Sequence, residues 1–200
     1  MGESALNAVG FIVGTLFSLY AGVVALRFIM QIVRADYYNP IAQFVVKATD
    51  PLLKPLRRIV PSVAGYDTAS LLLCFAVLVL KFLVFKLLAL GHVPALGSYL
   101  NVASISAPML VIAAFIDLVY LFFSIIIYAL FIQALLSWIP SAGANPVAGL
   151  LHSITSPVLR PIRKILPPMG GLDLSSLATI IALFALRMFV VGALVSLFLR

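Results

Sequence analysis

The chain has 200 residues, 64% of them apolar and only 10% charged. A soluble domain is roughly 45–50% apolar and about 25% charged, so this composition excludes a soluble globule and points to a bilayer. The net charge of +7, from 13 Lys and Arg against 6 Asp and Glu, would raise nucleic acid as a partner in a soluble protein. Here the charges fall at membrane edges, and anionic lipid headgroups are the expected partner instead.

Four apolar runs reach the roughly 20 residues that a spanning helix needs. They extend from about Phe11 to Val33, Thr68 to Leu90, Met109 to Leu136 and Leu174 to Leu199. No Lys or Arg precedes the first run and no small-residue cleavage pattern follows it, so it reads as a retained span and not a signal peptide. The fold class is therefore all-α, with four transmembrane helices arranged as two hairpins.

Basic residues set the expected orientation. The connection between the first two spans carries Arg34, Lys47, Lys54, Arg57 and Arg58, and that between the last two carries Arg160, Arg163 and Lys164. The middle connection, Gly91 to Pro108, has no Lys or Arg. The positive-inside rule places both basic loops in the cytoplasm and both termini outside. Trp138 falls at the inner interface, where amphipathic rings settle.

The two basic loops repeat one another. Asn39-Pro40 returns as Asn145-Pro146, and Asp50-Pro51 as Ser156-Pro157. Leu53-Lys54-Pro55-Leu56-Arg57-Arg58-Ile59 returns as Leu159-Arg160-Pro161-Ile162-Arg163-Lys164-Ile165. Gly65, Asp67 and Ser70 return as Gly171, Asp173 and Ser176, and Lys81 meets Arg187, all at the constant offset that takes Asn39 to Asn145. Ahead of the loops, a four-residue gap pairs Gln31 with Gln133. This divides the chain into repeats over residues 1–100 and 101–200. Each has two spans, so the copies share one orientation and are parallel repeats.

Within each loop, over residues 39–61 and 145–167, apolar residues recur at helical spacing. Ile41, Val45, Ala48, Leu52, Leu56 and Ile59 line one face, with Lys47, Lys54 and Arg58 opposite. Val147, Leu151, Ile154, Val158, Ile162 and Ile165 do the same in the second copy. A basic amphipathic helix of this kind lies in the interface. Asp50 and Ser156 before proline read as N-caps, so each segment is expected to break there into two short helices. Pro55 and Pro161 should bend the second piece.

Asn-Pro, then Thr-(Asp/Ser)-Pro-x-Leu-x-Pro-x-Arg-(Arg/Lys)-Ile-x-Pro, then Gly-x-Asp-x-x-Ser, resembles the YggT family of small membrane proteins, and so does Ser137-Trp138-Ile139-Pro140. The resemblance covers nearly the whole chain as two units. It implies a bacterial inner-membrane protein with relatives in cyanobacteria and chloroplasts, called YlmG. It also implies links to osmotic-stress tolerance, cation uptake, cell division or nucleoid organisation, and haem attachment to a photosynthetic cytochrome.

Charges inside spans are costly and are functional candidates by default. Arg27, Lys81, Asp117 and Arg187 are the four. At 1.5 Å per residue, Lys81 and Arg187 lie about 21 Å from the inner edge and Asp117 about 13 Å from the outer one, so Asp117 can pair with Lys81 or Arg187 and hold the repeats together. Gly10, Gly14, Ser18 and Gly22 form a small-residue stripe suited to close helix packing. Asp67 and Asp173 are expected to cap spans two and four, and Asn39 and Asn145 to serve as turn or cap residues. No catalytic grouping, phosphate loop or metal-ligand spacing occurs, and the lone Cys74 reads as a packing residue. No cofactor or metal is expected, and an enzyme is the least favoured class. The reading that the residues favour is a non-enzymatic organising or assembly factor. It would grip the inner leaflet and dock a membrane-protein partner or a further copy of itself. A potassium or other cation transport role, and assistance in cofactor attachment to another membrane protein, are the alternatives.

Overall fold

The computed structural model describes residues 2–88, 90, 92–95, 98–102, 105–137, 145–165 and 174–199. Its elements in order are α1 (Gly2–Ile32), α2 (Pro40–Leu56), α3 (Thr68–Leu87), β1 (His92–Ala95), β2 (Ser98–Asn101), α4 (Ala107–Leu136), α5 (Pro146–Ile165) and α6 (Leu174–Phe198). Four segments are long and apolar enough to cross a bilayer: Ala5–Ile32, Thr68–Leu87, Ala107–Leu136 and Leu174–Phe198. The 30 residues of α4 reach about 45 Å at 1.5 Å each, longer than the roughly 30 Å hydrocarbon layer.

Each repeat is a hairpin of spans, α1 against α3 and α4 against α6. The hairpins join where α3 packs on α4, and α2 and α5 lie together at one end of the bundle. Both repeats thus point the same way, as an even number of spans per copy requires. One core cluster unites Ala21, Val24 and Ala25 of α1, Cys74, Leu78, Phe82 and Phe85 of α3, and Leu110, Ala113, Ala114 and Leu118 of α4. Cys74 is buried there, its thiol 3.4 Å from the Ala21 carbonyl, as a packing residue would be.

At the opposite end, β1 and β2 form an antiparallel hairpin from His92↔Asn101 to Ala95↔Ser98. Val93, Ala95 and Val102 sink into the same core, and Lys86 Nζ donates to the Ile105 carbonyl. Strands of four residues are too short for an alternation to register in the sequence, where this stretch looks like a loop.

The prolines behave differently from expectation. α2 and α5 are each one continuous helix, with Pro51 and Pro55, and Pro157 and Pro161, inside them. Asp50 and Ser156 are mid-helix residues and not caps. A helical proline disturbs the backbone bonding of the turn before it. The carbonyls that Pro51 and Pro157 leave without a helical donor are those of Lys47 and Ser153, and the carbonyls one residue earlier carry side-chain donors. Arg27 Nη1 donates to the Val46 carbonyl at 3.0 Å, and Ser156 Oγ donates to the His152 carbonyl at 2.5 Å. The true N-caps are Asn39 and Asn145, whose Oδ1 atoms accept from Ile41 N at 2.9 Å and Val147 N at 3.0 Å.

Gly10 and Gly14 are buried, but Gly22 is half-buried and a Cβ placed there would meet nothing within 4 Å. A stripe of every fourth residue winds about 40° per step around an α-helix, so by Gly22 it has left the interior face. Ala21 and Ala25 hold that face instead.

Candidate functional site

The end of the bundle that carries α2 and α5 gathers the repeated loop residues that the structure describes. α2 has three faces. Ala42, Val45, Thr49 and Leu53 pack on the bundle. Phe44, Leu52 and Ile59 are apolar and exposed. Lys47 and Lys54, and Arg58 just past the helix, are exposed. The expected single apolar face is therefore split: Val45 is buried, whereas Leu52 and Ile59 are left for lipid. α5 buries Leu150, Leu151, Ile154, Thr155 and Leu159 and leaves Arg160 and Lys164 exposed. The two helices touch, and Asn39 Nδ2 donates to the Pro146 carbonyl at 2.6 Å. Ile29, Met30, Ala42, Val45, Ala129, Leu150, Leu151 and Ile154 form the small core beneath them.

Two polar clusters fix α2 to the spans. In the first, Arg27 reaches from α1 to Thr49 Oγ1 at 2.6 Å and Asp50 Oδ1 at 2.7 Å, while Lys54 pairs with Asp50 Oδ2 at 3.0 Å. Burial acts to raise the Asp50 pKa, but hydrogen bonds and charge from Arg27 and Lys54 outweigh it, so the carboxyl sits below its ordinary range. In the second cluster, Asp67 caps α3 by accepting from Ser70 N at 3.3 Å and receives both Arg57 Nη2 and Nε. Its pKa too is lowered, with burial opposing and Arg57 and Ser70 prevailing.

Gln31 braces this corner, donating to the Gly65 carbonyl at 2.6 Å and accepting from Asp67 N at 2.9 Å. The chain turns there at Ala64 and Gly65, with φ of 53° and 80°; two successive positive φ values are the signature of a type I′ turn. Gln31, Arg57, Val60, Ser62, Gly65 and Asp67 line a cavity of about 330 Å³. Arg57, expected among the lipid-facing cations, is thus committed to Asp67, although its side chain remains 44% exposed.

The Asp67 geometry predicts an acid limb in stability. An unfolded Asp titrates near 3.9, and the folded carboxyl lies lower. The contribution is present above about pH 4 and is lost as pH falls through the lowered folded value. Asp67→Asn keeps the cap, since Asn caps as well as Asp, and removes the charge. A half-exposed pair is worth up to about 1 kcal/mol. The variant should melt slightly lower than wild type at pH 7 and converge with it on acidification, measured as Tm in detergent; parallel curves would remove Asp67 from this role.

Deeper in the bundle, Lys81 Nζ lies 2.5 Å from Asp117 Oδ2, with the lysine side chain 1% exposed. The pair joins α3 of the first repeat to α4 of the second. Arg187 donates to Ser124 Oγ at 3.0 Å and stands 4.6 Å from the centroids of both Tyr120 and Phe184. Of the two possible cations for Asp117, Lys81 is the one within ion-pair distance. Among the described residues every buried side-chain nitrogen and oxygen has a hydrogen-bond partner, and no three His, Cys, Asp or Glu converge as metal ligands would.

A family model described as CCB3/YggT matches the chain twice, over residues 6–88 and 112–194. The chain belongs to the CCB3/YggT family. A protein from the proC 3′ region of Vibrio alginolyticus is 43% identical over 178 residues, 89% of this chain and 90% of its own length. An uncharacterised protein of Pseudomonas aeruginosa is 43% identical over 92% of this chain and 88% of its own. The uncharacterised protein YggT of Escherichia coli K12 is 34% identical over 92% of this chain and 89% of its own. No solved structure matches.

The two family units are equal in length, and their starts and ends keep the same offset as the loop motifs. The structure agrees. At that offset Gln133 is the counterpart of Arg27, and Thr155 of Thr49. Arg27 meets Thr49, and Gln133 meets Thr155. This overturns the four-residue gap and the pairing of Gln31 with Gln133. Ungapped, Gln31 matches Ser137, and the ionic Arg27–Asp50 cluster of the first repeat gives way to a neutral Gln133–Thr155 contact in the second, with Ser156 at the Asp50 position. Trp138 and Asp173 lie outside the described residues. The Arg57–Asp67 contact was not anticipated, although a signal existed: both residues return together as Arg163 and Asp173.

Proposed function

We propose that the chain is a non-enzymatic organiser of the bacterial inner membrane, holding anionic lipid at the cytoplasmic leaflet and offering α2 and α5 as a joint platform for membrane-protein partners. The observation that supports it most is the side-by-side packing of α2 and α5 at one end, with Lys47, Lys54, Arg58, Arg160 and Lys164 all exposed there. Phe44, Leu52 and Ile59 supply the apolar side that an interfacial helix embeds at the acyl boundary. Each basic residue near an anionic surface contributes about 1 kcal/mol. The Lys81–Asp117 pair is neutral as a unit, so it fits helix packing better than a cation path.

The test replaces Lys47, Arg58, Arg160 and Lys164 with Gln, sparing Arg57 because Asp67 holds it. In nanodiscs of mixed phosphatidylglycerol and phosphatidylethanolamine, wild type should retain the anionic lipid preferentially, as read by mass spectrometry of the released complex. The fourfold variant should lose that enrichment while keeping its Tm within a few degrees. Equal enrichment in both would overturn the reading.

A further inference from the structure

Besides smaller contacts of α1 with α4 and of α2 with α5, the main contact between the two repeats is head to tail. α3 of the first packs on α4 of the second, and α4 is the counterpart of α1, not of α3. A contact between unlike faces of like units leaves one of each face unused at the ends of the pair. It then either closes into a ring or propagates with further copies.

Both unused faces can be named from the constant offset between the repeats. On α4, Asp117 meets Lys81 of α3, and Ala113, Ala114 and Leu118 are buried in the core cluster that α3 shares. Their counterparts on α1 are Asn7, Ala8, Phe11 and Ile12, all exposed. On α3, Leu78 and Phe82 are buried at 2% and 0%; their counterparts on α6, Phe184 and Met188, are exposed at 38% and 72%. The ion pair has a counterpart as well: Lys81 becomes Arg187 and Asp117 becomes Phe11. Arg187 already stands against the Tyr120 and Phe184 rings, and a third aromatic face is a chemically suitable neighbour for a guanidinium away from water.

We propose that a second copy of this chain seats its α1 on the open face of α6, repeating the α3–α4 join between chains and bringing Phe11 of the partner copy to Arg187. The occupant is another copy because α1 and α6 hold, at the two ends of the repeat pair, the positions that α4 and α3 hold at the internal join. The inference stands independently of lipid binding at α2 and α5.

The experiment uses the full chain with Cys74→Ala, carrying Ile12→Cys and Met188→Cys together or singly, oxidised in native membranes. These positions are the counterparts of Leu118 and Phe82, which share one core cluster. The expected result is an inter-chain disulfide in the double variant, with neither single variant crosslinking to itself, and wild type containing two or more copies per nanodisc. A Met188→Cys variant that crosslinks alone would show like faces meeting and overturn the proposal. So would the absence of any crosslink together with one copy per nanodisc, which would leave both faces to lipid. Substitution at two exposed positions should spare folding, checked by an unchanged Tm.

Discussion

Asp117→Asn is expected to lower the stability of the bundle by about 3–5 kcal/mol, the range for breaking a buried ion pair at one side. Lys81 is 1% exposed in the middle of an apolar helix. Left with an amide in place of its counter-ion, it must stay charged in a low-dielectric site, lose its proton, or drag the helix toward water. Replacing both residues at once, Lys81→Met with Asp117→Leu, should recover most of the loss, because the desolvation cost of both charges disappears with their attraction. Unfolding by SDS in mixed micelles measures all three proteins on one scale. A single variant as stable as wild type would show that the pair does not hold the repeats together.

The second large effect is expected at Arg27. Its guanidinium serves Val46, Thr49 and Asp50, and hydrogen bonds to charged groups contribute roughly 1.5–3 kcal/mol each. Arg27→Gln should destabilise by about 2–3 kcal/mol, since Asp50 keeps only the exposed Lys54. Adding Asp50→Ser converts the first site into the arrangement of the second, Gln beside Thr and Ser. That double variant should be more stable than Arg27→Gln alone. The opposite ranking in the same SDS assay would mean that Asp50 contributes through something other than Arg27.

Much of this was open to inspection in the chain itself. Span number, shared repeat orientation, the Asn39 cap and the Asp67 cap follow from hydropathy, loop charge and residue type, because each depends on neighbours within a turn or two. Arg57 is exposed and also paired with Asp67; charge pattern alone cannot tell a cation that only faces headgroups from one turned back to a carboxylate ten residues on. The break expected at Asp50 failed for a related reason. Asp50 does not cap a new helix because Arg27, 23 residues away in the chain, holds its carboxylate, a tertiary contact that local rules do not see. Pairing Gln31 with Gln133 by residue type requires a gap that the contacts do not. Contact with Thr49 and Thr155 shows that the position matters and that Arg and Gln fill it in different ways.

The strap of β1, β2 and the Lys86–Ile105 bond gives the two joins unequal standing. Within one chain, α3 and α4 are tethered by a short folded connector, which places them at an effective concentration of about millimolar or more whatever the expression level. The matching contact between chains has no tether and must be reached by lateral diffusion. The internal join is therefore permanent, and an external one built on the same geometry is dilutable: its occupancy follows how many copies the membrane holds.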